Sequence, residues 1–174
     1  MTVYEKIIAI LRENGIPYEE IIHAPVKTTD DSARERAAAG WTDGVGSKNI
    51  LFHARGKFYL VVTTAQKQIK ARIFKKEFGT KDIRFAYDDE VAVNTRCTPG
   101  SVPPFGHPSR GLPIFLDKDI LSAEWFMFNP GDHCRSIRVR PDGLVRALAA
   151  VPNPVYTFED GETGAVIDKL DVTT

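Results

Sequence analysis

Cysteine is scarce: Cys97 and Cys134 are the only two among 174 residues, too few for a disulfide framework in a chain of this size. Charge of one sign is lacking as well, because 23 Lys+Arg offset 23 Asp+Glu, which excludes a protein that coats polyanions through its total charge. No apolar run approaches the ~20 residues of a membrane span, so no membrane association is expected. The opening MTVYEKIIAI has no basic region ahead of an uninterrupted apolar one, so no secretory signal is expected. Several chemistries are missing too. There is no GxSxG elbow, P-loop, GxGxxG after a strand, HExxH or CxxC. What remains is 43% apolar, 26% charged and 10% aromatic residues, ordinary globular usage. A chain of this length buries roughly 70% of its unfolded surface and needs no staples. These features describe a soluble domain of a reducing, cytoplasmic compartment.

Val3, Ile7, Ile8 and Leu11 recur at helical spacing, with Thr2 as N-cap, Glu5 three residues on and Asn14-Gly15 as the stop. Tyr18 to Ala24 reads as an edge strand before Pro25. Asp30 or Asp31 is placed to cap a short helix over Ser32 to Ala39, which Gly40 ends, with a loop from Trp41 to Gly46. Asn49 to Ala54 and Lys57 to Thr63, separated by Arg55-Gly56, predict a tight antiparallel hairpin. Its second strand holds the run Phe58-Tyr-Leu-Val-Val62, so both faces should be covered. Ile69, Ile73, Phe74 and Phe78 predict a helix over Gln66 to Phe78 with Gly79 as its cap. A strand at Ile83 to Ala86, a helix at Asp88 to Thr95 and strands near Ile114 to Leu116, Glu124 to Asn129 and Ser136 to Arg140 follow. A helix from Pro141 turns Leu144, Val145 and Leu148 inward. Val155 to Phe158 is a further edge strand, and Glu159 to Thr174 reads as a polar, loosely held tail. The expected fold is therefore α+β: one domain over 1–158, with a mixed, mostly antiparallel, barrel-like sheet flanked by helices, and a tail over 159–174.

Cys97 to Pro113 differs in kind, since five prolines and three glycines exclude helix and central strand. A loop of this length inside a domain is either functional or disordered, and Val102 and Phe105 among rigid prolines predict one held in a single shape. The histidines His23, His53, His107 and His133 form no metal-ligand spacing with the cysteines, so no metal or other cofactor is expected. His133 and Cys134, as strand neighbours, face opposite sides and make no catalytic pair, and Cys97 reads as a small buried apolar residue. Two features are left. Lys48, in Gly46-Ser-Lys-Asn49, sits where the chain enters a strand; it is either a solvated lysine or a functional cation. The loop Pro99-Gly-Ser-Val-Pro-Pro-Phe-Gly106 is either a structural turn or a rigid frame of N–H donors of the kind that stabilises an oxyanion.

His23-x-Pro-Val26-x-Thr28, Ser-Lys-Asn49, Phe-Tyr-Leu-Val-Val62, Pro-Gly-Ser-Val-Pro-Pro-Phe-Gly106, Pro-Ile-Phe-Leu-Asp117 and Phe-Asn-Pro-Gly131 follow one another in an order that resembles the YbaK/ProX family. Its members are free-standing relatives of the editing domain of bacterial prolyl-tRNA synthetases, and the similarity runs over about residues 4 to 150. The resemblance implies a trans-editing aminoacyl-tRNA deacylase without metal or covalent intermediate. Lys48 matches the family's essential lysine, and Gly100 to Pro104 match its G-x-x-x-P loop. Lys48 and Gly100 are the expected catalytic positions. Val26, Thr28, Asn49, Ser101, Val102, Pro104, Gly106 and Asn129 are the expected substrate contacts. The implied partners are the tRNA acceptor end and a synthetase or elongation factor. Seryl or threonyl esters are favoured, with alanyl or cysteinyl as alternatives. A subset of the family carries a histidine in the late strand that Glu124-Trp-Phe-Met-Phe128 lacks, and His133 lies beyond Asn129, so that role is not transferred. The alternative is a non-catalytic module of the same fold that binds tRNA or a synthetase. The basic residues Lys67, Lys70, Arg72, Lys75 and Lys76, with Lys81 and Arg84, form either a solvated face or an acceptor-stem contact.

Overall fold

Thr2 starts the fold as its spacing predicts. In a computed structural model that describes residues 1–171, its Oγ1 accepts the Glu5 N–H and the Glu5 carboxylate accepts the Thr2 N–H, both at 3.1 Å, capping α1 (Val3–Glu13). Ile7 and Leu11 of α1 are fully buried. The edge strand is β1 (Glu19–Ile22). The next helix, α2 (Thr29–Ala38), starts earlier than expected, because Thr28 rather than Asp30 or Asp31 is the cap. Thr28 Oγ1 accepts the Asp31 N–H at 3.1 Å, and the Asp31 carboxylate answers by accepting from the N–H groups of Lys27 and Thr28.

The hairpin forms as predicted from β2 (Val45–Ala54) and β3 (Lys57–Thr64), with Arg55 at φ +49° and Gly56 at +77° in the turn. β2 is longer than its apolar run, since Val45 and Gly46 pair in parallel with β6 (Phe126–Phe128). Its far end, Phe52 to Ala54, pairs with β4 (Ile83–Phe85) on the same edge. Between those two neighbours residues 47–51 have no strand on that edge, and this gap admits the Pro/Gly loop. The complete pairing path is β1-β7-β6-β2-β3-β5-β8-β9, with β5 (Ile114–Asp117), β7 (Arg135–Val139), β8 (Val155–Gly161) and β9 (Gly164–Lys169). Five pairings are antiparallel and three are parallel, so the sheet is mixed and mostly antiparallel as expected; among the described residues β1 and β9 do not pair, so the expected barrel-like sheet is not closed by a strand pairing.

Both faces of β3 are covered, as its unbroken apolar run requires. Leu60 and Val62 face a core built with α1 and α5 (Pro141–Ala150), while Val61 faces an aromatic cluster of Phe52, Phe74, Phe78, Phe115 and Phe158. In α5 Leu144 and Leu148 are buried, but Ala147 completes the inward face and Val145 stays partly exposed. α4 (Asp88–Thr95) lies where expected.

Two segments depart from expectation. The helix over Gln66 to Phe78 is instead a 3₁₀ turn, Ala71–Phe74, and one helical turn, α3 (Lys75–Phe78). Lys67 Nζ donates to Asp117 Oδ2 at 2.6 Å and pairs with Asp119, a tertiary tie that keeps residues 67–70 out of a helix. Phe74 and Phe78 still turn inward, and Gly79 ends the turn at φ +72°. The expected loose tail is a hairpin: β8 extends to Gly161, and β9 lays Ala165 and Ile167 against the aromatic cluster. Strand alternation at 165 and 167 supplies this burial, and its weak apolar signal hid it among polar neighbours. The last three residues of that expected tail lie outside the described residues.

Candidate active site

Lys48 and Asn49 lie in the edge gap of β2, and the loop after α4 fills part of it. Asn49 Nδ2 donates to the Val102 carbonyl at 2.7 Å, while Asn49 Oδ1 is sealed from solvent with no partner. The Ser101 carbonyl accepts the Gly131 N–H at 3.0 Å, and Ser101 N–H and Oγ both donate to the Thr98 carbonyl. Phe105, fully buried, anchors the loop edge-on to Phe128 at 5.7 Å. The prolines and these ties hold one shape.

Gly100 is needed for two reasons. Its φ of +92° disfavours any side chain, and a Cβ there would meet the Lys27 carbonyl oxygen at 3.0 Å. His133 fixes the same region from behind. Its Nδ1–H donates to the Val26 carbonyl at 2.8 Å, which leaves Nε2 to accept the Thr98 hydroxyl at 2.6 Å. Val26 in turn donates its N–H to the His133 carbonyl at 3.0 Å.

Together β2, α2 and the loop enclose a cavity of about 530 Å³. Among the expected site residues, Thr28, Lys48, Asn49, Gly100, Val102 and Asn129 line it. Val26, Ser101, Pro104 and Gly106 are not in its wall. Val26 and Ser101 are buried and support the loop and the start of α2, Pro104 is buried, and Gly106 lies against Ile7 in the core.

Reading the sequence missed Arg36, Ser32 and Trp41, which also line the cavity. Arg36 is 4% exposed. Its Nε donates to Ser136 Oγ at 3.0 Å and its Nη2 to Asn129 Oδ1 at 3.2 Å, and burial lowers the guanidinium pKa to about 10. The Asn129 amide nitrogen donates to the Arg135 carbonyl, and the Ser136 hydroxyl reaches His23 Nε2 at 2.8 Å. The available signal was the i, i+4 pair Ser32 and Arg36 on a helix otherwise rich in alanine. By pattern alone it resembles a solvated charge.

The lining residues include Lys27, Arg36 and Lys48 but no Asp, Glu, His or Cys. Cys97 lies outside the cavity, and burial pushes its thiol up to about 11, so it is no nucleophile at neutral pH. Among the described residues no group of three or more metal-ligating side chains gathers. The basic stretch is dispersed rather than one helical face: Lys67 pairs with Asp117 and Asp119, and Arg84 with Glu90 at 2.7 Å, while Lys70, Arg72, Lys75, Lys76 and Lys81 are exposed. No described helix is long and apolar enough to cross a membrane.

A mixed-sheet α+β domain with a cationic, acid-free cavity beside a rigid Pro/Gly loop is the class of protein that fold and site define. The aminoacyl-tRNA editing domain model matches residues 23–147, and the chain belongs to that family. Solved structures share the fold. One, described as "a putative trans-editing enzyme for prolyl tRNA synthetase", is 21% identical with a TM-score of 0.72, over 92% of this chain and 99% of that one. A hypothetical protein is 24% identical with a TM-score of 0.71, over 86% and 96%. A scaffold used for epitope backbone grafting is 22% identical with a TM-score of 0.71, over 92% and 99%. No curated protein matches.

Proposed function

We propose that this chain is a trans-editing deacylase that hydrolyses the ester joining a small, wrongly attached amino acid to the 3′-terminal adenosine of a tRNA. The observation that carries this is the meeting of Lys48 with Gly100 and Val102 in one cavity wall, from segments far apart in sequence. An aminoacyl ester is already activated, so placing a water and stabilising the oxyanion suffice. The N–H groups of Gly100 and Val102 donate to no acceptor among the described residues and are free to take the developing oxyanion. Lys48 supplies a compact cation for phosphate or carbonyl oxygen. With no carboxylate, imidazole or thiol in the wall, the free hydroxyl of the terminal ribose relays the proton from the attacking water to the departing ester oxygen. The tRNA acceptor end is the partner, delivered in the cytoplasm by a synthetase or elongation factor.

Threonine-rich walls, with Thr28, Thr29, Thr42 and Thr64 beside Ser32 and Ser47, favour seryl and threonyl esters over alanyl or cysteinyl ones. The test is a panel of tRNAs mischarged with labelled Ser, Thr, Ala or Cys, incubated with the wild type and with Lys48→Ala. Release confined to the wild type supports the deacylase. Retention of every ester by both proteins, with tRNA bound, makes the chain a binding module instead.

A further inference from the structure

Arg36 is a buried guanidinium without a counter-charge. Its two hydrogen-bond partners, Ser136 and Asn129, are neutral, and among the described residues it makes no ion pair. Those two bonds fix the plane of the fork and leave Nη1 without a partner, yet Nη1 is not sealed from solvent. It lies against Gly46, where a Cβ would stand 3.0 Å from it, so the glycine lets the guanidinium reach the floor beneath β2. Gly46 and Lys48 are two apart on the strand and share a face. An unpaired charge in such a place is costly, and a guanidinium matches the geometry of an oxyanion better than an ammonium does.

We propose that Arg36 is an anion anchor of this cavity, its Nη1 donating to a non-bridging oxygen of the phosphate on the 5′ side of the terminal adenosine. The oxyanion preference follows from the acid-free wall of Lys27, Arg36 and Lys48. Assigning the anion to tRNA rests on the editing reading above. An aminoacylated 3′ end carries a cationic α-ammonium, no free carboxylate, and anionic charge only on its phosphates, so the phosphate is the part this wall attracts.

The test is calorimetric titration of adenosine, adenosine 5′-monophosphate and inorganic phosphate into the wild type, Arg36→Gln and Arg36→Lys, with melting curves for each. The wild type should bind the monophosphate about tenfold or more tighter than adenosine, the size of one charge-assisted bond. Arg36→Gln should lose about tenfold of that preference, keeping only what Lys27 and Lys48 supply, and Arg36→Lys should keep more of it. Should Arg36→Gln not fold, the Arg36 Nε–H resonance of the wild type decides: it shifts with the monophosphate and stays with adenosine. Equal wild-type affinities, or a preference unchanged in folded Arg36→Gln, overturn the anchor. Inorganic phosphate binding as tightly as the monophosphate overturns its assignment to RNA. A wild type that discriminates the monophosphate from adenosine but deacylates nothing removes the hydrolase and leaves the anchor; an active wild type without discrimination does the reverse.

Discussion

Cations that line the cavity and cations that lie outside its wall live under different rules. Lys67 is held by Asp117 and Asp119, Lys118 by Glu159 and Asp168, and Arg84 by Glu90. In the cavity wall the side chains of Lys27, Arg36 and Lys48 make no ion pair among the described residues. Net charge is zero over the whole chain, yet no Asp or Glu is among the residues that line this cavity. Balanced total charge thus excludes coating of nucleic acid but permits local capture of an anionic tip.

Exchanging roles across this divide should have opposite consequences. Lys48→Ala is expected to lower deacylation about 10²- to 10³-fold, the scale of losing one oxyanion-stabilising group, with the melting temperature unchanged. Full activity in that variant removes Lys48 from the mechanism. Gly100→Val should cost at least about tenfold in rate, because the side chain is driven against the Lys27 carbonyl, and about 1–3 kcal/mol from backbone strain. A variant that melts lower but retains its rate makes this loop structural only. On the paired side, Asp117→Ala should cost about 3 kcal/mol in denaturant unfolding and leave the rate alone, since the buried carboxylate also accepts Thr63 Oγ1 at 2.7 Å and the Asp119 N–H.

The smallest effect is a titration. The hydrogen bond from Arg84, with the Tyr87 N–H adding to it, holds the Glu90 carboxyl at about 2. A depressed carboxyl stabilises the fold above its unfolded value and loses that contribution as pH falls through about 2. In Arg84→Ala the carboxyl resonance of Glu90 should titrate nearer the ordinary range. An unmoved resonance would assign the depression to the Tyr87 cap alone.

Much of the fold was legible because its signals are local. The Thr2 and Glu5 cap, the Arg55-Gly56 turn and the unbroken run through Val62 each fix their own neighbourhood. Gln66 to Phe78 misled because its apolar spacing is helical, whereas the tie from Lys67 to Asp117 is made across about fifty residues and outweighs one helical turn. The C-terminal hairpin misled in the opposite direction, since Ala165 and Ile167 gain their burial only against phenylalanines from four other segments. The site divides in the same way. Lys48, Asn49, Gly100 and Val102 stood out through strand entry and loop composition, while Arg36 looked like any arginine on an alanine-rich helix.

By itself the sequence determined which segments turn and which strands need cover on both faces, and it singled out one lysine and one loop as candidates for the site. Tertiary structure alone decided that Val26, Ser101, Pro104 and Gly106 stand outside the cavity wall while Thr28 and Asn129 line it. It also decided that Arg36 faces the cavity without a counter-ion. Periodicity records which face of an element is apolar; a charge becomes buried and unpaired only through what the rest of the chain places around it.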